Sequence, residues 1–130
     1  ARQAAAARAA RPQAAVKERV WDTVVGDDSI ANITARAVIG GFAPAGQGEL
    51  LEPFVARYFA DIAGVWERRS SEVAQTVVVG LYPAWSISES SVAAADEFLA
   101  EDRPPALRRL VVEGRAGVVR SLEARTFDAS

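Results

Sequence analysis

The side chains of this 130-residue chain best suited to binding a ligand are arginines near its carboxyl end. Arg108, Arg109 and Arg115 fall within one predicted helix, where they could form part of a cationic stripe. A guanidinium group can hold a phosphate or a peptide carboxylate through paired hydrogen bonds. The alternative is a solvated helix face, because glutamates such as Glu113 share the same segment.

Carboxylates occur as adjacent pairs at Asp27-Asp28, Asp96-Glu97 and Glu101-Asp102. General acid–base catalysis needs carboxylates that are held apart in a cleft with shifted pKa values. Neighbouring residues in a polar turn do not give that geometry, so we interpret these pairs as solvated charges. The interval from Ser70 to Asp102 holds six acidic residues and no basic residue, which predicts one local acidic face.

The residue types missing from the chain exclude most enzyme chemistry. The absence of Cys excludes disulfides, thiolate metal sites and cysteine nucleophiles. The absence of His excludes Ser-His-Asp triads and imidazole ligands. The stretch from Gly40 to Gly48 lacks the Lys-Ser/Thr pair of a phosphate loop and follows a helix, so we interpret it as an interhelical connection. We interpret the sequon at Asn32 as an unmodified helical residue.

Charge and hydropathy restrict the partners further. The net charge is −2 and the isoelectric point is about 5.2, which argues against a nucleic-acid partner. No apolar run approaches the roughly 20 residues that span a bilayer, so we expect no membrane partner. Arg2 and Arg8 interrupt the Ala-rich N-terminus, which lacks the apolar core of a signal peptide, so we expect a cytoplasmic location. Lys17 is the only lysine among 15 basic residues, a bias typical of bacteria with GC-rich genomes.

Apolar residues recur at helical spacing along almost the whole chain. The strongest predicted helix covers residues 49–69, and a second covers residues 105–127. Shorter helices are predicted after Arg11, after Ser29, after Ser70 or Ser71, and after a cap at Ser86 or Ser88. The aromatic residues fall at core spacing, and they are not interleaved with basic residues on one face.

The resulting order of helix, short turn and helix predicts an all-α fold of antiparallel helix pairs. The pairs could form a bundle or a short HEAT-like solenoid. Only Val77-Val78-Val79 competes as a strand, and it has no alternating partner elsewhere. Val20-Trp21-Asp22 and Val65-Trp66-Glu67 lie about 45 residues apart, near the period of helical repeats.

A series of residues from Lys17 to Asp128 resembles a known family in its order and spacing. The series is Lys17-x-x-x-Trp21, Asn32, Gly41-Phe42, Gly46-Gln47-x-Glu49-Leu50-Leu51-x-Pro53, Tyr58-Phe59, Trp66, Tyr82-Pro83, Phe98-Leu99 and Leu107-Arg108-Arg109. It resembles the C-terminal helical domain of bacterial aminopeptidase N-type zinc metallopeptidases, the endoplasmic reticulum aminopeptidase-like C-terminal domain. Phe54 and Tyr82 stand where the family pattern has Tyr and Phe.

The resemblance implies a parent enzyme that removes N-terminal amino acids from peptides. Its Zn²⁺ would be held by a His-Glu-x-x-His motif that this chain cannot contain, so no catalytic or metal-binding residue carries over. It implies that this chain closes over the catalytic domain and limits peptide access. Arg108, Arg109 and Arg115 would then contact a peptide or the catalytic domain.

The resemblance also predicts the domain organisation. Residues 1–130 would be one helical domain near the carboxyl end of a longer chain, and residues 1–11 would end a preceding helix. The absence of Met agrees with this prediction. The alternative function is that of a stand-alone helical-repeat scaffold that binds a protein or peptide partner.

Overall fold

The structure of the chain, a computed structural model, describes residues 14–27, 32–42 and 51–129. Within these residues every regular element is a helix, as the sequence predicts. In chain order the helices are α1 (Ala14–Gly26), α2 (Asn32–Phe42), α3 (Pro53–Arg68), α4 (Ser71–Gly80), α5 (Glu89–Ala100) and α6 (Pro105–Ala129). The predicted start after Arg11, the cap at Ser29, most of the glycine-rich connection and residues 1–11 lie outside the described residues.

Local sequence signals explain where several helices begin. Pro53 occupies the first turn of α3, where its missing N–H has no intrahelical partner to lose. Ser70 caps α4 by accepting a hydrogen bond from the backbone N–H of Val73. Of the two predicted caps for α5 the structure uses Ser88, whose hydroxyl accepts from the N–H of Ser91.

The helices pack as three consecutive pairs in two layers. α1 contacts α2, α3 contacts α4, and α5 contacts α6. Along the array α1, α3 and α5 form one layer, here called the odd layer, while α2, α4 and α6 form the even layer. Val77-Val78-Val79 lies in α4 and is helical, so the strand alternative is wrong. The packing is compatible with a HEAT-like array.

One hydrophobic core lies between the layers. Near α1 it contains a cluster of Trp21, Phe42 and Phe54, whose ring centroids are 5.2–5.6 Å apart. Farther along, Tyr58 packs edge-on against Tyr82. The aromatic residues therefore build the core, as predicted, and do not form a base-stacking platform.

Two helices of the even layer approach their neighbours so closely that glycine is required. A Cβ on Gly80 of α4 would lie 2.5 Å from Cγ2 of Ile39 in α2. A Cβ on Gly114 of α6 would lie 2.6 Å from the ring of Tyr82, just beyond the end of α4. Real side chains do not tolerate such distances, so both glycines fix the spacing between adjacent even helices.

Candidate functional site

The three arginines predicted as contact residues have different surroundings on α6. Arg108 donates a hydrogen bond to the backbone carbonyl of Leu99, at the end of α5, over 2.7 Å. Arg115 reaches Asp96 of α5 through Nε at 2.7 Å and a second nitrogen at 3.4 Å. Arg109 instead faces Glu113 along its own helix at 4.0 Å, the predicted i,i+4 pair.

These contacts divide the predicted cationic stripe into two parts. Arg108 and Arg115 connect α6 to α5 and neutralise a helix end and a carboxylate there. The side chain of Arg109 is 68% exposed, and its pair with Glu113 is long and equally exposed. An exposed pair of this kind contributes little to stability. Arg109 is therefore the arginine of the three whose charge is most open to an external group.

A buried tyrosine lies close to the ion pair between Arg115 and Asp96. The ring of Tyr82 is 7% exposed, and its hydroxyl has no hydrogen-bond partner among the described residues. Burial raises the pKa of Tyr82 to about 12, while the nearby Arg115 lowers it and Asp96 raises it. The phenol therefore stays neutral across the physiological range and acts as a structural group.

A shallow groove of about 300 Å³ lies between α3 and α5 of the odd layer. Phe59 and Phe98 line its floor, and Glu97 and Glu101 line its wall. Arg103 already stacks over Phe98 at 3.9 Å and pairs with Glu101 at 2.6 Å. The predicted acidic face therefore carries its own counter-charge at this place.

A larger groove of about 440 Å³ lies between α2 and α4 of the even layer. Ile39 and Val79 provide apolar lining, and Arg36 and Glu72 provide charged lining of both signs. Glu72 also accepts a hydrogen bond from Nδ2 of Asn32 over 2.8 Å. Asn32 is helical and its amide is engaged, which favours the unmodified interpretation of the sequon.

The described residues offer no metal centre. No group of three or more His, Cys, Asp or Glu side chains that could hold a metal ion occurs among them. The whole chain also lacks His and Cys, the ligand types that zinc sites use most. The residues of this chain therefore do not fit the zinc site that the resemblance implies for a parent enzyme.

The structure assigns a role to Lys17 that sequence reasoning missed. Lys17 is fully buried, and its ammonium donates to the backbone carbonyl of Phe42, the last residue of α2. The same ammonium lies 5.3 Å from the centre of the Phe42 ring. Burial lowers the pKa of Lys17. Two signals pointed to Lys17, because it is the only lysine of the chain and begins the series that resembles the family, but neither reveals which carbonyl it faces.

The described residues form a helical module in which Lys17, Arg108 and Arg115 bind other parts of the module. The sequence matches the family described as ERAP1-like C-terminal domain over residues 1–120. Because this match covers most of the chain, the chain belongs to that family. The predicted resemblance is confirmed.

One relative is Aminopeptidase N from Streptomyces lividans. The two sequences are 46% identical over 130 residues, which is 99% of this chain. The chain spans only 15% of the length of that relative. Among the residues that the structure describes, no helix combines the length and apolar character of a membrane span.

Proposed function

We propose that this chain is the non-catalytic C-terminal domain of a zinc aminopeptidase that releases N-terminal amino acids from peptides. The observation that carries the proposal is the 46% identity to a stretch covering 15% of an aminopeptidase N. The family match over residues 1–120 supports it. On this proposal, residues 1–130 form one helical domain whose partners are a catalytic domain and a peptide substrate.

Within such an enzyme this domain closes over the catalytic domain and shapes peptide access. Stacked helix pairs in a HEAT-like array suit this role, because they create extended surfaces from repeated short contacts. Such a wall can restrict which peptides reach a site without contributing a reacting group. The two-layer packing of the six described helices supports this role.

The chemistry of the enzyme belongs to residues outside this chain. Zn²⁺ supplies a Lewis acid and an activated water in metallopeptidases. This chain has no His or Cys to hold it, and its described residues form no metal-binding cluster. No catalytic step is therefore assigned to any residue of this chain, and its contribution is to exclude, orient or admit a peptide.

Arg109 is the residue of this chain that we assign to contact with a peptide carboxylate or with the catalytic domain. Its guanidinium is exposed and only loosely paired, whereas Arg108 and Arg115 bind α5. Arg109→Ala in the longer enzyme should raise KM for long peptides and leave KM for a short aminoacyl amide unchanged. Arg125→Ala, a second exposed arginine on α6, is the matched control.

The first experiment is to sequence the gene upstream of the codon for Ala1. We expect a His-Glu-x-x-His motif with a further Glu about one helix downstream. The longer product should cleave aminoacyl chromogenic amides in the presence of zinc, and the 130-residue chain alone should not. A start codon immediately upstream with no such motif would overturn the proposal.

That second outcome would favour the scaffold alternative, in which the helical array binds a protein or peptide by itself. The cytoplasmic location expected from the sequence stays a prediction. Fractionation of cells that express the longer product measures it directly, and recovery outside the cytoplasm would contradict it.

A further inference from the structure

The large apolar side chains that the described residues expose all lie in one layer. They are Ile33 in α2, Val79 in α4 and Val112 in α6, which are 58%, 59% and 45% exposed. These are the three helices of the even layer. Single exposed apolar residues are ordinary on protein surfaces, but their restriction to one layer indicates a partner on that side.

Two of these residues also lie at the same level along their helices. Gly80 contacts Ile39 and Gly114 contacts Tyr82, which aligns the carboxyl end of α4 with its neighbours on both sides. Val79 precedes Gly80 directly, and Val112 lies less than one turn before Gly114. Both valines therefore lie near the level of the carboxyl end of α4.

The α2–α4 groove extends this apolar area. Its lining includes Ile39, Val79 and two glycines, Gly40 and Gly80, and its volume is about 440 Å³. Arg36 and Glu72 add charges of both signs to its lining. The groove therefore combines apolar and charged lining residues, as interfaces between folded units do.

The outer surface of the odd layer differs. Arg57 of α3 binds Asp22 of α1 at 2.7 Å across that surface, and Arg103 binds Glu101 beside the other groove. Among the described residues, none of the exposed large apolar side chains lies in the odd layer. The charged groups named on this side pair with each other.

We propose that the outer face of the even layer, centred on Val79, Val112 and the α2–α4 groove, packs against the remainder of the longer polypeptide. The inference rests on the proposed function and names the surface that function uses. The occupant follows from length, because this chain spans 15% of its relative and most of that protein lies outside it. A covalently attached neighbour is present at a high effective concentration, so even a small apolar face is enough to hold it.

Cysteine labelling in the longer enzyme tests this assignment. This chain contains no Cys, so Val79→Cys or Val112→Cys introduces one thiol into this region once any native cysteines elsewhere are replaced. Ala93→Cys, exposed on α5 of the odd layer, is the matched control. We expect a maleimide to label Val79→Cys and Val112→Cys about tenfold more slowly than Ala93→Cys, because labelling would require local opening.

The outcomes separate this inference from the proposed function. An active aminopeptidase that is labelled equally fast at all three positions would overturn the inference and leave the proposed function intact. The inference would also be overturned if dilution abolished the slow labelling and sedimentation velocity showed a dimer. In that case a second copy of the protein would cover the face. An inactive longer product that still protects Val79→Cys at every concentration would support the surface and overturn the proposed activity.

A second pair of variants tests the same face without labelling. Val79→Asp should lower the melting temperature of the longer enzyme, because a carboxylate would be buried against the neighbouring unit. Ala93→Asp, in the odd layer, should leave the melting temperature unchanged. Equal melting temperatures for the two variants would contradict the assignment of the even layer.

Discussion

The first and last helix pairs both place cations at the carbonyl ends of helices, but in different surroundings. At the first pair, Lys17 lies fully buried against the end of α2, and Arg69, which follows α3 and is 8% exposed, donates to two carbonyls at the end of α1. In the last pair, Arg108 reaches the end of α5 from an exposed position, and Arg115 pairs with an exposed Asp96.

The difference shows that one electrostatic motif has two functions in the same fold. A cation at a helix carboxyl end satisfies carbonyls that have no intrahelical partner and complements the helix dipole. When the cation is buried, removing it leaves a desolvated carbonyl, which is costly. When it is exposed, water replaces it. The first pair therefore depends on buried cations in addition to its apolar contacts, whereas the last pair depends mainly on its apolar contacts.

The largest expected effect comes from Lys17→Met. Methionine keeps most of the volume of the lysine stem but leaves the carbonyl of Phe42 without its ammonium. We expect a loss of about 1–3 kcal/mol in the free energy of unfolding, the usual cost of an unsatisfied buried polar group. Urea denaturation followed by tryptophan fluorescence measures it.

Arg108→Met makes the same chemical change at the exposed end of α5 and provides the control. Its loss should stay within about 0.5 kcal/mol, as for other exposed substitutions. Equal losses in the free energy of unfolding for the two variants would contradict this comparison. They would show that burial of the cation makes no difference between the ends of α2 and α5.

The next largest effect is expected at Tyr58, which packs against Tyr82. Tyr58 is fully buried and donates its hydroxyl hydrogen to the carbonyl of Val78. Tyr58→Phe should cost about 1–2 kcal/mol, because that carbonyl loses its side-chain donor. Urea denaturation at neutral pH checks the value. No loss would mean that the buried hydrogen bond makes no net contribution.

The ion pair between Arg115 and Asp96 should contribute less. Both side chains are more than a third exposed, so Arg115→Ala should cost about 0.2–1 kcal/mol at low salt. The difference from the wild type should shrink as the salt concentration rises, because ions screen exposed charges. A loss that does not depend on salt would indicate packing of the arginine stem instead.

The smallest effect at neutral pH is expected for Tyr82→Phe, whose hydroxyl has no partner among the described residues. The variant should differ by less than about 0.5 kcal/mol, since no hydrogen bond is lost. Its effect appears at alkaline pH. Burial raises the pKa of Tyr82 from 10.0 to about 12, so its stabilisation is present below pH 10 and is lost as the pH rises towards 12.

Denaturation curves between pH 9 and pH 12 measure this dependence. The wild type should lose stability more steeply than Tyr82→Phe over the interval, because only the wild type has this phenol to ionise. Tyr58, whose pKa burial raises, is present in both proteins, and the charge of an ionised Tyr82 raises its pKa further in the wild type alone. Parallel curves would contradict the role assigned to Tyr82.

Much of the fold follows from the sequence alone. The caps at Ser70 and Ser88, the position of Pro53 and the apolar spacing of α3 and α6 are local signals, and the structure uses each of them. Periodicity predicts which side of a helix is apolar, but it does not predict which neighbouring helix covers that side. Ile33 follows the apolar spacing of α2 and is nevertheless exposed.

The surroundings of the three candidate arginines could not be predicted, because they too depend on which helices pack together. The sequence places Arg108, Arg109 and Arg115 on one helix, but their partners come from a different helix or from α6 itself. Which arginine remains open depends on how α5 packs against α6, and that arrangement is not encoded within either segment. The contact role of the three residues therefore stays a prediction until the longer enzyme is measured.

The burial of Lys17 also decides which reagents can report on this region. It is the only lysine of the chain and is fully buried, so the folded chain presents no lysine amine to an acylating reagent or an amine-directed cross-linker. Cross-linking maps of the longer enzyme that use such reagents would contain no lysine-derived restraint from this region. Conversely, slow acetylation of Lys17, followed by mass spectrometry, would time the separation of α1 from α2.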